Sequence, residues 1–258
     1  MKKDSNLKPY RGSRKHVLDW TGLDKSELLS SLNQLLEPSG SIVSPGDHWM
    51  PRGEKEPAEA KLHELGSEYL PKEIAQSLDN WWLKHKRGAN RPNWDFLATC
   101  TINGKKGLVM VEAKANCAEL KLEGKKLSAP TQNSKENHEK IAEAIEESRQ
   151  ALARIIPGVE ISRDKNYQLS NRVAYAWKLA SLGIPTVLVY LGFLGDDNIK
   201  DVGEPLLDEN HWKRVFGDYI KGVLPEEFLE KSIECGKASM QMLIRSRKIV
   251  ESSRLCPC

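Results

Sequence analysis

Three residues have the types and spacing for metal-assisted hydrolysis: Asp95, Glu112 and Lys114. Side chains two apart on a strand share a face, so Glu112 and Lys114 project together while Ala113 points to the other side. Asp95 joins them if residues 95–114 form a hairpin. The segments DFLATCTI (95–102) and GLVMVEAK (107–114) flank Asn103-Gly104-Lys105-Lys106, the composition of strand, tight turn and strand. With Asn103 and Gly104 central in a type I′ turn, Ile102 faces Lys105 and Asp95 falls opposite Glu112. With Gly104 and Lys105 central, Asp95 falls opposite Lys114 and keeps the same face. Either even-length turn gathers the three groups, whereas a bulge or odd-length loop would not. Two converging carboxylates are hard oxygen ligands suited to Mg²⁺, with Mn²⁺ as a substitute. An adjacent ammonium would orient a metal-bound water or stabilise charge building on a phosphate.

Elements on either side must position this hairpin. Lys25 to Leu36 reads as a helix capped by Asp24, followed by a Pro- and Gly-rich loop over 44–57. From Ala58 the apolar residues Ala58, Leu62, Leu65 and Tyr69 fall at helical spacing, and a second helical stretch after Pro71 carries Ile74, Leu78, Trp81 and Trp82. Residues 134–155 form a charged amphipathic helix, read as an insertion over or beside the core. A helix from about Gln168 to Leu182 and a buried strand over Thr186–Leu191 come next, then helices around His211–Lys221 and Glu226–Ser252. The expected organisation is a basic arm, short helix and loop (1–57), a core (58–195) and a C-terminal helical extension (196–258). The fold class is α/β, an α+β mixed sheet with helical additions at both ends.

Pro92-Asn93-Trp94-Asp95 and Glu112-Ala113-Lys114 together resemble the motifs of the PD-(D/E)xK nuclease superfamily, which includes restriction endonucleases and RecB-like nucleases. Here Pro and Asp are separated by two residues rather than adjacent. The resemblance covers about residues 58–192 and implies a restriction-endonuclease-like core. It further implies an acidic residue on the first core helix contributing to the metal site. Glu59 is the first choice on geometry, with Glu64 and Glu68 as alternatives. A polar residue at the start of the second core helix would face the site, and Gln168 is similar in position. Arg172 lies one turn later, and both are expected to contact substrate phosphate.

Composition neither excludes nor announces this reading. The chain of 258 residues has 39 basic and 36 acidic side chains, so net charge alone does not identify a polyanion-binding protein. Local clusters are more informative: Lys2, Lys3, Lys8, Arg11, Arg14 and Lys15 form the arm, and Lys84, Lys86, Arg87 and Arg91 crowd the approach to Asp95 as candidate backbone contacts. Each cluster is equally readable as a solvated surface run. His48, His63, His85 and His211 lack metal-ligand spacing, Asp196 and Asp197 read as loop-solvating residues, and Trp81-Trp82 read as core. No segment has the apolar length of a membrane span, no apolar run follows the basic N-terminus, and cytoplasmic residence is expected. Five cysteines, an odd number, are expected to be reduced thiols, with Cys256 and Cys258 in a frayed tail. Hydrolysis of DNA is the leading expectation, with RNA a further substrate class and a homodimer one expected assembly. The competing expectation is a catalytically silent nucleic-acid-binding or interaction module on the same fold.

Overall fold

Asn103 and Gly104 take positive φ values of 49° and 79°, and Ile102 lies opposite Lys105. This is the two-residue turn that the Asn-Gly pair favours, and it fixes the register of the sheet's central hairpin. The computed structural model describes residues 10–127 and 129–249. In chain order the elements are α1 (Gly12–Thr21), α2 (Lys25–Leu36), β1 (Ser41–Ile42), β2 (Trp49–Met50), α3 (Lys72–Trp82), β3 (Phe96–Ile102) and β4 (Lys105–Lys114). They continue with α4 (Gln132–Ala153), α5 (Tyr167–Leu182), β5 (Thr186–Leu194), α6 (Glu209–Ile220), β6 (Ser232–Glu234) and β7 (Ser239–Lys248). The protein is a mixed α/β structure. Its sheet runs β1-β3-β4-β5-β7-β6, with β2 also pairing with β3.

Alternation along the central strands divides the core in two. Leu108, Met110, Leu188, Tyr190, Met240 and Met242 pack with residues of α3–α6, including Trp82, Ile145, Val173 and Phe216. Val109, Val111, Ala113, Val187, Val189 and Leu191 face residues of α1 and α2, including Val17, Trp20, Leu28 and Leu32. The β4–β5 and β5–β7 pairs are parallel, and β5 with the second half of β4 is covered on both faces and reads as a buried run. Trp81 and Trp82 pack edge-on against Tyr175 in this core. Among the described residues no helix is long and apolar enough to cross a membrane.

Several expectations are overturned. Residues 58–71 form no helix: Ala60 exchanges backbone hydrogen bonds with Trp94 (3.1 and 2.9 Å), which commits its N–H and C=O to a bridge. Leu62 and Tyr69 of the spaced residues are buried, as are Ala60 and Leu70, whereas Ala58 is exposed. The described part of the expected helix over Glu226–Ser252, residues 226–249, is not α-helical either. A 3₁₀ turn at Glu226–Phe228 leads to the β6–β7 hairpin, and β7 runs parallel beside β5, so the expected helical extension supplies a strand to the sheet. Gly236, at φ 95°, makes the reversal. Part of the expected basic arm is α1 itself, and Lys2, Lys3, Lys8, Cys256 and Cys258 lie outside the described residues. The helix over 132–153 is a packing element of the core, burying Ile141, Ala144, Ile145 and Leu152.

Gly192 on β5 lies directly beneath Trp212 of α6, where an added Cβ would meet three ring atoms at 2.8–3.0 Å. Gly217, inside α6, faces open space. Gly192→Ala should therefore lose about 1–3 kcal/mol of stability, and Gly217→Ala should gain roughly 0.5–1 kcal/mol. Chemical denaturation of the two variants should move in opposite directions.

Candidate active site

Extending the register from Phe96↔Val111 by one residue sets Asp95 opposite Glu112, at the mouth of the hairpin. Asp95 Oδ2 accepts a hydrogen bond from the Ala113 N–H at 2.8 Å, which fixes its carboxylate against β4. Glu112 and Lys114 point to the α5 side of the sheet, and both are buried, 2% and 3% exposed. Lys114 Nζ donates to Glu112 Oε1 at 2.6 Å and to Gln168 Oε1 at 3.0 Å, while Gln168 Nε2 donates to the same Glu112 Oε1 at 2.6 Å. The three side chains form a closed ring of hydrogen bonds. Asn166, at φ 44°, begins α5 and ties its Nδ2 to Tyr219 O (2.7 Å), setting where the first turn carries Gln168.

Arg172, one turn beyond Gln168, occupies the other side of Glu112. Its Nε donates to Glu112 Oε2 at 2.6 Å, and its two terminal nitrogens donate to Asn93 O (2.6 Å) and Asn171 Oδ1 (2.7 Å). The guanidinium stacks 4.7 Å from the Trp94 ring centroid. These three donors hold the site together, and the guanidinium also lines the cleft.

The two carboxylates experience different fields. Burial and the charge of Glu112 push Asp95 up to about 7, against the opposing pull of Lys114 and the Ala113 N–H. Burial also opposes ionisation of Glu112, yet Arg172 and Lys114 outweigh it and hold Glu112 below its usual range. In the metal-free protein one carboxylate is ionised at neutral pH and its neighbour is near its midpoint.

These groups open into a cleft of about 1000 Å³. Glu59 lies on one wall, its Oε2 accepting from Asn93 Nδ2 at 3.1 Å, so it does reach the cleft, although from an extended segment rather than a helix. Glu64 also lines the wall, where it pairs with Lys61 at 3.0 Å. Glu68 lies outside the cleft lining. The expected basic approach is largely elsewhere: Lys84 pairs with Glu136 (2.7 Å), Lys86 with Asp79 (3.5 Å), and Arg87 lines a separate groove. Arg91 reaches the cleft but is held by Asp79 at 2.5 Å. Three further basic groups that line the cleft, Lys121, Lys125 and Lys126, were missed; the run Lys-Leu-Glu-Gly-Lys-Lys was their only sequence signal. Asp196, read as loop-solvating, is instead buried against His16 at 2.6 Å.

By donor chemistry Asp95 and Glu112 are hard oxygen ligands of the kind Mg²⁺ or Mn²⁺ takes, and Glu59 lines the same cleft, but among the described residues these three are not a group whose ligand atoms all lie within 4.8 Å of one another. Both Glu112 oxygens carry hydrogen bonds, so a cation at Oε1 would compete with Lys114 and Gln168. A second cluster, Cys117, Glu204 and His211, brings its ligand atoms within 4.8 Å of one another. Its histidine is less suited to ligation: Nδ1 accepts from the Leu207 N–H at 3.2 Å, leaving the ring proton on the Nε2 that faces Glu204. Comparison with protein-family models, curated protein sequences and solved structures returned no match.

Two measurements follow from the ion pairs. Between the usual aspartate value of 3.8 and about 7, the folded metal-free protein holds a proton at Asp95 that the unfolded chain has released. Stability should fall as pH rises through that window and remain lower above it. Denaturation at pH 5 and pH 8 should differ less in Asp95→Asn than in the natural protein, and an unchanged difference would refute the assignment. Arg172→Met strands Glu112 with a single cation and should cost about 3 kcal/mol in the same measurement.

Proposed function

We propose that this chain is a divalent-metal-dependent nuclease that hydrolyses DNA phosphodiester bonds through a restriction-endonuclease-like site of the PD-(D/E)xK type. The observation that carries this reading is the meeting of Asp95, Glu112, Lys114 and Gln168 at the head of one cleft, on the hairpin and the first turn of α5. Asp95 and Glu112 would hold the metal, with Glu59 as the wall carboxylate. When bound, the metal supplies Lewis-acid polarisation of the phosphate and a more acidic water.

The chain's own residues do the rest. Lys114, freed from Glu112 Oε1, presents three N–H donors to the attacking water or to a non-bridging phosphate oxygen. Gln168 is bonded to both partners and keeps the ammonium aimed as it moves. Arg172 maintains the ionised form of Glu112 from the side away from Lys114. RNA presents the same phosphodiester chemistry and remains a second substrate class.

A catalytically silent nucleic-acid-binding module is the alternative, and one observation favours it: both oxygens of Glu112 are already engaged by protein donors. Cleavage assays separate the two. Incubation of single- and double-stranded DNA with Mg²⁺ or Mn²⁺ should yield products that chelation with EDTA prevents. Lys114→Ala should lower the rate by about 10²–10³-fold, the loss expected for one transition-state donor. Its fold should persist because Glu112 retains Arg172 and Gln168. Equal cleavage by that variant would remove Lys114 from the mechanism, and salt-sensitive binding without products would select the silent module.

A further inference from the structure

Between the 3₁₀ turn at Cys117–Glu119 and α4, the chain runs along the cleft as a strap carrying Lys121, Lys125 and Lys126. Backbone hydrogen bonds fasten it to the segment leading into α5: Asn166 N–H to Leu122 O (2.9 Å), Tyr167 N–H to Glu123 O (3.0 Å) and Lys125 N–H to Arg163 O (2.8 Å). Gly124 makes this possible, because a Cβ there would lie 2.5 Å from the Asp164 carbonyl oxygen. The strap thus holds its lysines on a fixed wall.

Lys125 differs from several cations elsewhere on the surface. Lys84, Lys86 and Lys178 each face a carboxylate. Lys125 is half-buried, with its ammonium 5.0 Å from the Tyr167 ring centroid, and burial lowers its pKa with no neighbouring charge to offset the effect. Desolvating an ammonium without an anion is costly, and the aromatic face recovers only part of that cost. An incoming anion would recover more. Tyr167 immediately precedes Gln168, whose side chain bonds Glu112 and Lys114, and Lys125 lines the same cleft as these groups.

We propose that Lys125, seated over Tyr167, is the anion subsite that receives a backbone phosphate of the nucleic acid beside the scissile one, with Lys121 and Lys126 extending the contact along the strap. This assignment rests on the nuclease reading for its ligand but not on catalysis. Its chemistry is that of a point charge on a phosphate oxygen, so it contributes affinity and register without base preference.

The test is equilibrium binding of a fluorescent single-stranded 12-mer to the full chain in EDTA, across a salt series. Lys125→Met should weaken binding several-fold at low salt and lower the log–log salt slope by about 0.7, the value for one phosphate contact on a single strand. Lys84→Met, outside the cleft, should leave both quantities unchanged, and matching circular dichroism would establish that the variants are folded. An unaltered slope in Lys125→Met, or no binding by the natural protein, overturns the subsite. Displacement of the oligonucleotide by inorganic phosphate, beyond that by sodium chloride of equal ionic strength, would instead assign the site to free phosphate and overturn the proposal. Absence of cleavage with Mg²⁺ accompanied by the expected slope change defeats the nuclease reading while leaving the subsite standing.

Discussion

The buried pair between Arg172 and Glu112, 2.6 Å apart, is the interaction on which the arrangement of the cleft depends. A carboxylate 2% exposed on a central strand would be strongly destabilising alone. Arg172 resolves this from α5, and the same guanidinium reaches back to Asn93 O and lies over Trp94. One side chain therefore joins β4, α5 and the segment leading into β3. The distance from sheet to helix is set by this contact, and with it the reach of Gln168 to Lys114. Replacing the pair with apolar residues could preserve or improve stability, as buried ion pairs often permit. What the pair does is keep Glu112 ionised where it faces the cleft.

That ionised carboxylate makes its neighbour behave differently. Asp95 sits across one rung of the hairpin, near enough for Glu112 to disfavour its charge, and receives only one backbone N–H in compensation. Two acids on one hairpin are thus separated by environment rather than by type, the separation that permits distinct roles within a shared site. A bound cation would erase the separation by favouring both charges. Lys114 and Arg172 each reach one oxygen of Glu112 at 2.6 Å, Lys114 from its own strand and Arg172 from α5. Cation and lysine therefore compete for one oxygen of Glu112.

The hairpin was legible because its constraints are local. A two-residue Asn-Gly turn dictates register, and register dictates which side chains share a face. Gln168 was suggested by the resemblance, which implies a polar residue at the start of the second core helix, and its side chain lies against Glu112 and Lys114. Arg172 shows where this reasoning stops: its spacing from Gln168 places it on the same helix face, but spacing does not say that Glu112 and Asn93 consume its donors. Ala58–Tyr69 imitated a helix because four apolar residues happened to fall at intervals near 3.6, only Leu62 and Tyr69 of them buried, while the backbone of Ala60 was claimed by Trp94, far along the chain. β7 was misread for the converse reason. Met240, Met242 and Ile244 alternate, but flanking Lys and Arg residues have helical propensity, and only parallel pairing with β5 decides the outcome.

The walls of the cleft were least legible because neither is built by the hairpin. One is the extended segment of Glu59 and Lys61, held by the Ala60–Trp94 bridge; the other is the strap of Lys121–Lys126, held by the segment entering α5. Both are coil, where residue type constrains conformation weakly and contacts distant in sequence decide position. The cluster of Lys84, Lys86, Arg87 and Arg91 illustrates the consequence. Proximity in sequence to Asp95 suggested a shared surface, but α3 and the turn after it carry Lys84 and Lys86 toward Glu136 and Asp79. Cations already matched by carboxylates have little left to offer a polyanion. The charges available to it are those that folding leaves unmatched, and their identity emerges only once the ion pairs have been formed.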